Sequence, residues 1–92
     1  MKAMWNGAVI AESDDIVTVE GNAYFPETAL NRALIAPSDH TSACGWKGLA
    51  NYYSLQIGGK TNANAVWYYA DPKPAAKQIT GRVAFWKGVE VV

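Results

Sequence analysis

Short apolar runs alternate with turn signals about every eight to twelve residues along the chain, a spacing typical of all-β or β-rich domains. The dipeptide Asn6-Gly7 predicts a two-residue hairpin turn between strands at 3–5 and 8–12, because a type I′ turn needs positive φ at both central residues. The same pattern predicts further strands at 16–20, 23–25, 51–57, 62–69 and 83–92, with a turn at Gly21-Asn22.

Two of these segments show the alternation of a half-buried sheet. In 51–57, one face carries Tyr53, Leu55 and Ile57, and the other face carries Tyr52, Ser54 and Gln56. In 62–69, one face carries Ala63, Ala65, Trp67 and Tyr69, and the other carries Asn62, Asn64, Val66 and Tyr68. Because Trp67 and Tyr69 share a face, they can contact the same partner.

The segments between the strands predict two short helices and one long loop. Apolar residues at helical spacing follow Pro26, which predicts a short helix over 26–34. Prolines near its start favour a helix of one or two turns over 71–79. Residues 36–48 are rich in Pro, Ser, Thr and Gly and predict a long loop, which in a small domain is often functional. The predicted fold class is β-rich α+β, with small antiparallel sheets and one or two short helices.

Length, composition and charge narrow the class of protein. The 92 residues predict a single domain, 1–92, and 50% hydrophobic residues are enough to form a core. Eight basic and eight acidic side chains cancel, so we expect no nucleic-acid partner and no binding to an anionic membrane. The first seven residues lack the apolar stretch of a signal peptide, and no segment has the apolar length of a bilayer span. We therefore expect a cytoplasmic protein.

One cysteine and one histidine limit the available chemistry. A lone cysteine forms no internal disulfide, and the chain has no ligand spacing typical of a metal site, so we expect neither metal nor cofactor. Cys44 is a candidate nucleophile, with His40 as its base, if a neighbouring group lowers the pKa of the thiol. The alternative is a buried cysteine that packs as a small hydrophobic residue.

The segment Cys44-Gly-Trp-Lys-Gly48 is the strongest candidate for a site. It brings a thiol, an amine and an aromatic ring together between glycines, which let the backbone turn and approach another group closely. Lys47 is a candidate to bind a phosphate or a carboxylate; the alternatives are a salt bridge with a glutamate and a solvated surface lysine. The rings predicted to border a cleft with it are those of Trp46, Tyr52, Trp67 and Tyr69; the alternative is that they pack in the core.

Motifs along nearly the whole chain resemble those of one family. They are Ala11-Glu12-Ser13, Tyr24-Phe25-Pro26, Cys44-Gly-Trp-Lys-Gly48, Ala50-Asn-Tyr52, Trp67-Tyr-Tyr69, Asp71-Pro72, Ile79-Thr-Gly81 and Val83-Ala-Phe85. In this order they resemble the small bacterial and fungal proteins of the domain of unknown function DUF427. The resemblance implies a compact β-rich domain with small curved sheets, described as a β-tent fold, and no settled biochemical activity.

Two positions depart from the pattern of that family. Gly45 stands where relatives usually have a proline after the cysteine, and Ala70 replaces the first proline of their Trp-x-Tyr-Pro-x-Pro motif. Because proline restricts φ and glycine does not, both changes make the local backbone less restricted.

These residues support three hypotheses on function. The first is a small-molecule binding module, in which Lys47 and the aromatic rings hold a polar or anionic ligand beside the Cys44–Gly48 loop. The second is an enzyme that uses Cys44 as its nucleophile. The third is a structural or homodimeric interaction domain, in which the aromatic residues form the core and the interface.

Overall fold

The computed structural model describes residues 1–92 and contains nine strands in two sheets. The strands are β1 (Lys2–Trp5), β2 (Ala8–Glu12), β3 (Val17–Val19), β4 (Asn22–Pro26), β5 (Ile35–Cys44), β6 (Gly48–Ile57), β7 (Lys60–Tyr68), β8 (Arg82–Phe85) and β9 (Glu90–Val91). The small sheet has the order β2-β1-β9, and the large sheet has the order β3-β4-β8-β7-β6-β5. All neighbouring strands are antiparallel, which confirms the β-rich, antiparallel class.

Two-residue turns with positive φ close the first two hairpins. Asn6 and Gly7 have φ of 49° and 78°, which confirms the turn predicted there. The second turn lies at Glu20-Gly21, with φ of 54° and 78°, one residue earlier than the predicted Gly21-Asn22. The β3–β4 register places Asn22 in β4, and Glu20 is therefore held in a left-handed conformation that non-glycine residues adopt uncommonly.

Most of the segment 36–48, predicted as a long loop, belongs to strand β5, so that prediction is wrong. β5 is an edge strand and pairs with β6 alone. An edge position tolerates Pro37, because its missing N–H is not needed by a second neighbour, and the register is irregular between Pro37 and Thr41. Only residues 45–47 form a turn. The polar composition reflects the exposure of an edge strand rather than a loop.

The two predicted helices are not confirmed, because the chain forms only short 3₁₀ turns, at Glu27–Ala29, Arg32–Leu34 and Pro74–Ile79. Short α-helices are marginal, since several residues must be fixed before the first hydrogen bond forms. The Asn31 side chain instead accepts a hydrogen bond from the Ala33 N–H and stabilises a local turn. None of these helical turns has the length and apolar character needed to span a membrane.

The strand predicted over 83–92 is in fact two strands. Lys87 and Gly88 both have positive φ and interrupt it. The first part, β8, lies between β4 and β7 in the large sheet, whereas β9 pairs with β1 in the small sheet. The chain therefore passes from one sheet to the other just after Trp86.

The large sheet packs on both of its faces, and each face has its own cluster of buried residues. The inter-sheet cluster joins the two sheets and contains Ala3, Ile10, Ala11, Phe25, Leu30, Leu55, Ile57, Ala65, Val66, Val83 and Phe85. The outer cluster covers the opposite face together with the 74–79 turn and contains Val19, Tyr24, Ala50, Tyr52, Tyr69, Ala76, Ile79 and Ala84. Tyr24 and Phe25 fall in different clusters because consecutive strand residues point to opposite faces.

Strand β6 alternates as predicted, with Leu55 and Ile57 in the inter-sheet cluster, Tyr53 packed against it, and Tyr52 in the outer cluster.

Strand β7 changes face at Asn64. This residue has a φ of 60°, and the β6–β7 register is irregular beside it. The bulge puts Ala65 in the inter-sheet cluster, which corrects the prediction that it shares a face with Trp67 and Tyr69. Those two aromatic residues do share a face, as predicted, and it is the one that carries the outer cluster.

Candidate functional site

A cleft opens on the outer-cluster face of the large sheet. It has a volume of about 210 Å³, and we name it the aromatic cleft after its lining residues Lys47, Tyr52, Trp67, Tyr69 and Trp86. The aromatic residues come from β6, from β7 and the residue following it, and from the end of β8, which are neighbours in the sheet. The first four lining residues are among the predicted ligand-binding residues. The fifth predicted one, Trp46, contacts Lys47 beside the cleft.

The turn 45–47 carries Lys47 into the cleft. Its backbone is packed closely against residues 71–73: the Lys47 carbonyl accepts a hydrogen bond from the Lys73 N–H at 2.9 Å, and the Lys73 ammonium donates to the Gly45 carbonyl at 2.8 Å. Gly48 follows with a φ of 113°, and a Cβ there would lie 3.4 Å from the Asp71 carbonyl oxygen. This packing leaves Lys47 only 7% exposed, the one charged residue among the buried residues.

The Lys47 ammonium forms an ion pair with the Glu20 carboxylate. Nζ lies 2.5 Å from Oε1, and the Glu20 side chain is 51% exposed whereas the Lys47 side chain is 9% exposed. The ammonium also lies 5.5 Å from the ring centroid of Trp46 and 5.5 Å from that of Tyr69. A cation is attracted to aromatic ring faces, and more strongly where water is excluded. Lys47 is therefore stabilised by one carboxylate and two rings.

The ionisation of this pair is mutually reinforced. Burial acts to lower the pKa of Lys47, but the hydrogen bond to Glu20 and the surrounding charges outweigh it and raise that pKa above its ordinary value. The hydrogen bond from Lys47 is the main cause that lowers the pKa of Glu20, and burial opposes it. Both side chains are consequently charged at neutral pH.

The rings that form the walls of the cleft are held at defined angles. The Trp67 and Trp86 ring centroids are 6.1 Å apart with their planes at 87°, and the Tyr52 ring lies 6.4 Å from that of Trp86. Trp86 is 45% exposed, but its indole N–H donates to the Asn64 carbonyl at 2.6 Å. The Lys87 ammonium lies 5.2 Å from its ring centroid. These contacts fix the orientation of an otherwise open side chain.

Contacts behind the walls orient the other two rings. The Trp67 indole N–H donates to the Tyr24 hydroxyl at 3.1 Å, and the two rings pack edge to face at 6.3 Å. The Tyr52 and Ser42 hydroxyls share a hydrogen bond of 2.8 Å, and the His40 ring lies 4.7 Å from the Tyr52 ring. Contacts within the chain therefore hold these rings in place.

The two predicted catalytic residues lie on β5 without a hydrogen bond between them. Cys44 is half-buried at the end of the strand, where the Lys47 N–H is the main cause that lowers the pKa of the thiol, against the effect of burial. His40 is exposed and four residues earlier, roughly 13 Å away along an extended strand. Its imidazole packs against Tyr52 instead.

Sequence reasoning missed three residues of the site, namely Glu20, Tyr24 and Trp86. A glutamate partner for Lys47 was one of the alternatives, but the sequence did not indicate which glutamate, because the contact joins residues 27 positions apart. Trp86 continues the apolar run of β8, which predicts a strand but not that its side chain reaches the Trp67 face. Tyr24 gives no sign in the sequence that its hydroxyl accepts the Trp67 N–H.

Two kinds of group therefore meet at the cleft: the buried ammonium of Lys47 and aromatic side chains. Burial raises the pKa of Tyr69, although Lys47 opposes this, so its hydroxyl keeps its proton at neutral pH. Such a set of groups can contact a flat molecule and hydrogen-bond or ion-pair with its polar substituent. The chain contains no group of three or more His, Cys, Asp or Glu side chains placed to hold a metal ion.

Two comparisons with known proteins bear on identity. No curated protein matches the chain. One family matches over residues 1–92, the whole of the sequence, and it is described as a domain of unknown function, DUF427. This match agrees with the resemblance seen in the motifs. The chain belongs to the DUF427 family.

Proposed function

We propose that the protein is a small-molecule binding module whose ligand occupies the aromatic cleft. The observation that carries this proposal is the convergence of one buried ammonium and four aromatic side chains on a single cleft. Sites for small molecules are typically concave and mostly apolar, with few polar groups that set the orientation of the ligand. Lys47 supplies that polar group.

The size of the cleft limits the size of the ligand. Pockets for drug-sized ligands have volumes of about 300–1,000 Å³, whereas an apolar cavity of about 150 Å³ is enough for benzene. A cleft of about 210 Å³ suits one ring with a small substituent. The Lys47 ammonium favours a polar or anionic substituent, and the perpendicular rings of Trp67 and Trp86 offer the ligand ring one face and one edge.

A thermal-shift screen tests this proposal. Small ring-bearing polar and anionic metabolites are added to the wild type, to Lys47→Met and to the matched control Lys77→Met, which changes an exposed lysine. At 100 times the dissociation constant, a ligand adds about 2.7 kcal/mol to the stability. We expect stabilisation of the wild type and of Lys77→Met but little of Lys47→Met. A ligand that stabilises all three proteins equally, or a screen without any ligand, would overturn the proposal.

A second candidate function is an enzyme in which Cys44 is the nucleophile. The observation in its favour is the half-buried thiol at the turn, whose pKa is lowered by the Lys47 N–H. In this proposal the Lys47 ammonium stabilises a developing anion, and a tyrosine or His40 handles protons. We expect rapid alkylation of Cys44 by iodoacetamide below about pH 7.5 if the thiol is activated. Slow alkylation, as for an ordinary thiol, would contradict it.

Three further proposals concern the setting of this function. The β-tent description refines the β-rich fold to curved sheets that lean together over the inter-sheet cluster. A cytoplasmic location agrees with the free thiol of Cys44, since reducing compartments preserve free thiols. A homodimeric interaction domain is supported by the exposed apolar side chains of Trp46, Leu49 and Trp86. Light scattering tests the dimer, and a monomer at high protein concentration would contradict it.

A further inference from the structure

We propose that Glu20 is a built-in competitor at the ligand site: its carboxylate occupies the position on Lys47 that the carboxylate of a small aromatic acid takes on binding. This inference rests on the proposed binding function of the aromatic cleft. It adds to that function a ligand class, aromatic monocarboxylates, and an autoinhibitory contact that controls their access.

Lys47 is the group that requires an anion at this place. It is the only charged residue that lines the aromatic cleft, and its side chain is 9% exposed. A buried ammonium is unfavourable unless an opposite charge or hydrogen-bond acceptors compensate for its lost hydration. In the absence of a ligand, Glu20 provides that charge from the turn between β3 and β4.

Glu20 is a partner that can leave. Half of its side chain is exposed, and its hydrogen bond to Lys47 is the contact that draws it toward the cleft. The carboxylate can therefore return to water by rotation of the side chain, while the backbone of the turn stays in place. By contrast, Lys47 is anchored by the packing of its turn against residues 71–73 and stays in the cleft.

The position on Lys47 is suited to a carboxylate in particular. The ammonium already accepts a carboxylate as its partner, since Nζ lies 2.5 Å from Glu20 Oε1. The walls formed by Trp67 and Trp86 lie in the same cleft as the ammonium. A ligand that has a ring and a carboxylate can therefore place its ring against the walls and its carboxylate on Lys47.

The charges at Lys47 imply that an acid replaces the Glu20 carboxylate rather than binding beside it. Two carboxylates on a single ammonium repel each other, so the acid must displace Glu20 to gain the full attraction of Lys47. The apparent affinity for an acid is then reduced by the fraction of molecules in which Lys47 is free. If Lys47 is free in about one molecule in ten, loss of the Glu20 carboxylate tightens acid binding about tenfold. An uncharged ring compound is not repelled by the Glu20 carboxylate and can accept another N–H of the ammonium beside it, so it gains nothing from the loss of Glu20.

The experiment compares benzoate with its uncharged analogue benzamide by titration calorimetry. The proteins are the wild type, Glu20→Gln and the matched control Glu12→Gln, which removes a carboxylate from an exposed ion pair with Lys2 and changes the net charge equally. We expect benzoate to bind Glu20→Gln about tenfold more tightly than it binds the other two proteins. Benzamide should bind all three with the same affinity.

Two additions keep the test decisive if Glu20→Gln folds poorly. Glu20→Gly also removes the carboxylate and suits the φ of 54° at this turn. In the wild type, the ¹³C resonance of the Glu20 carboxyl group should move toward that of a solvated glutamate when benzoate is added. Equal benzoate affinities in all variants, with an unmoved Glu20 resonance, overturn the exchange but leave the binding function intact. Failure of both compounds to bind any variant overturns the ligand class and the exchange, whereas the binding function itself is decided by the thermal-shift screen.

Discussion

The hydrogen bond between Trp67 and Tyr24 can be removed with the loss of one oxygen atom. In Tyr24→Phe the edge-to-face contact between the rings, at 6.3 Å, is retained. The Trp67 indole N–H, which lies 3.1 Å from the hydroxyl oxygen, loses its acceptor. Because this bond orients one wall of the aromatic cleft, we expect the variant to be less stable and Trp67 to be less well ordered.

The size of the effect follows from the burial of the two residues. Tyr24 is fully buried, whereas Trp67 is half-buried. Loss of a neutral hydrogen bond typically costs about 1 kcal/mol, and about 3 kcal/mol where the donor stays dry and unpaired. Partial exposure of Trp67 favours the lower value. In a domain of this size, about 1 kcal/mol lowers the midpoint of thermal unfolding by about 4–8 °C.

Scanning calorimetry on a double-mutant cycle measures this contribution. The cycle contains Tyr24→Phe, Trp67→Phe and the double variant, and we expect a coupling energy of about 0.5–1.5 kcal/mol. Tyr53→Phe is the control for the loss of a tyrosine hydroxyl outside the cleft, where this hydroxyl contacts Glu27 and Arg32, and it should show no coupling to Trp67. An unchanged midpoint in Tyr24→Phe with no coupling to Trp67 would refute the reasoning.

Three further perturbations test other parts of the structure. Ile79→Ala removes a fully buried side chain from the outer cluster, so urea unfolding should show a free energy of unfolding lower by about 2–5 kcal/mol. A smaller decrease would mean that the 74–79 turn packs loosely. Gly48→Ala forces a side chain into a φ of 113° close to a backbone carbonyl, so thermal unfolding should show a loss of about 1–3 kcal/mol. Gly45→Ala is the control and should have little effect, because no atom lies within 4 Å of the added Cβ. Equal losses in the two variants would contradict this account. Pairing with Lys47 lowers the pKa of Glu20 in the folded state, so the pair stabilises the fold fully at pH values above the ordinary glutamate pKa of 4.5. This stabilisation is lost as the pH falls through the lowered pKa of the folded state. Circular dichroism during acid titration should show this loss in the wild type, and the same loss in Glu20→Gln would assign it to other groups.

Local patterns predicted much of the sheet structure. The turn at Asn6-Gly7 and the common face of Trp67 and Tyr69 depend on residues that are adjacent or two positions apart, so the sequence contains the information directly. Strand β5 was mistaken for a loop, because an exposed edge strand with Pro37 has the polar composition of a loop. The prediction of two short helices was wrong for a different reason. Helical spacing of apolar residues does not stabilise an α-helix in segments this short, and each segment forms only 3₁₀ turns.

The sequence by itself identified most of the groups that meet at the candidate site. The thiol, ammonium and rings between Cys44 and Tyr53, and the aromatic pair of β7, are defined by short-range spacing that needs no tertiary contact. Only the tertiary structure decided that Lys47 is buried against Glu20 and that Trp86 completes the cleft. These contacts join separate hairpins and strands, and their geometry depends on the bulge at Asn64 and on the packing of the 45–47 turn against residues 71–73, which no local pattern specifies.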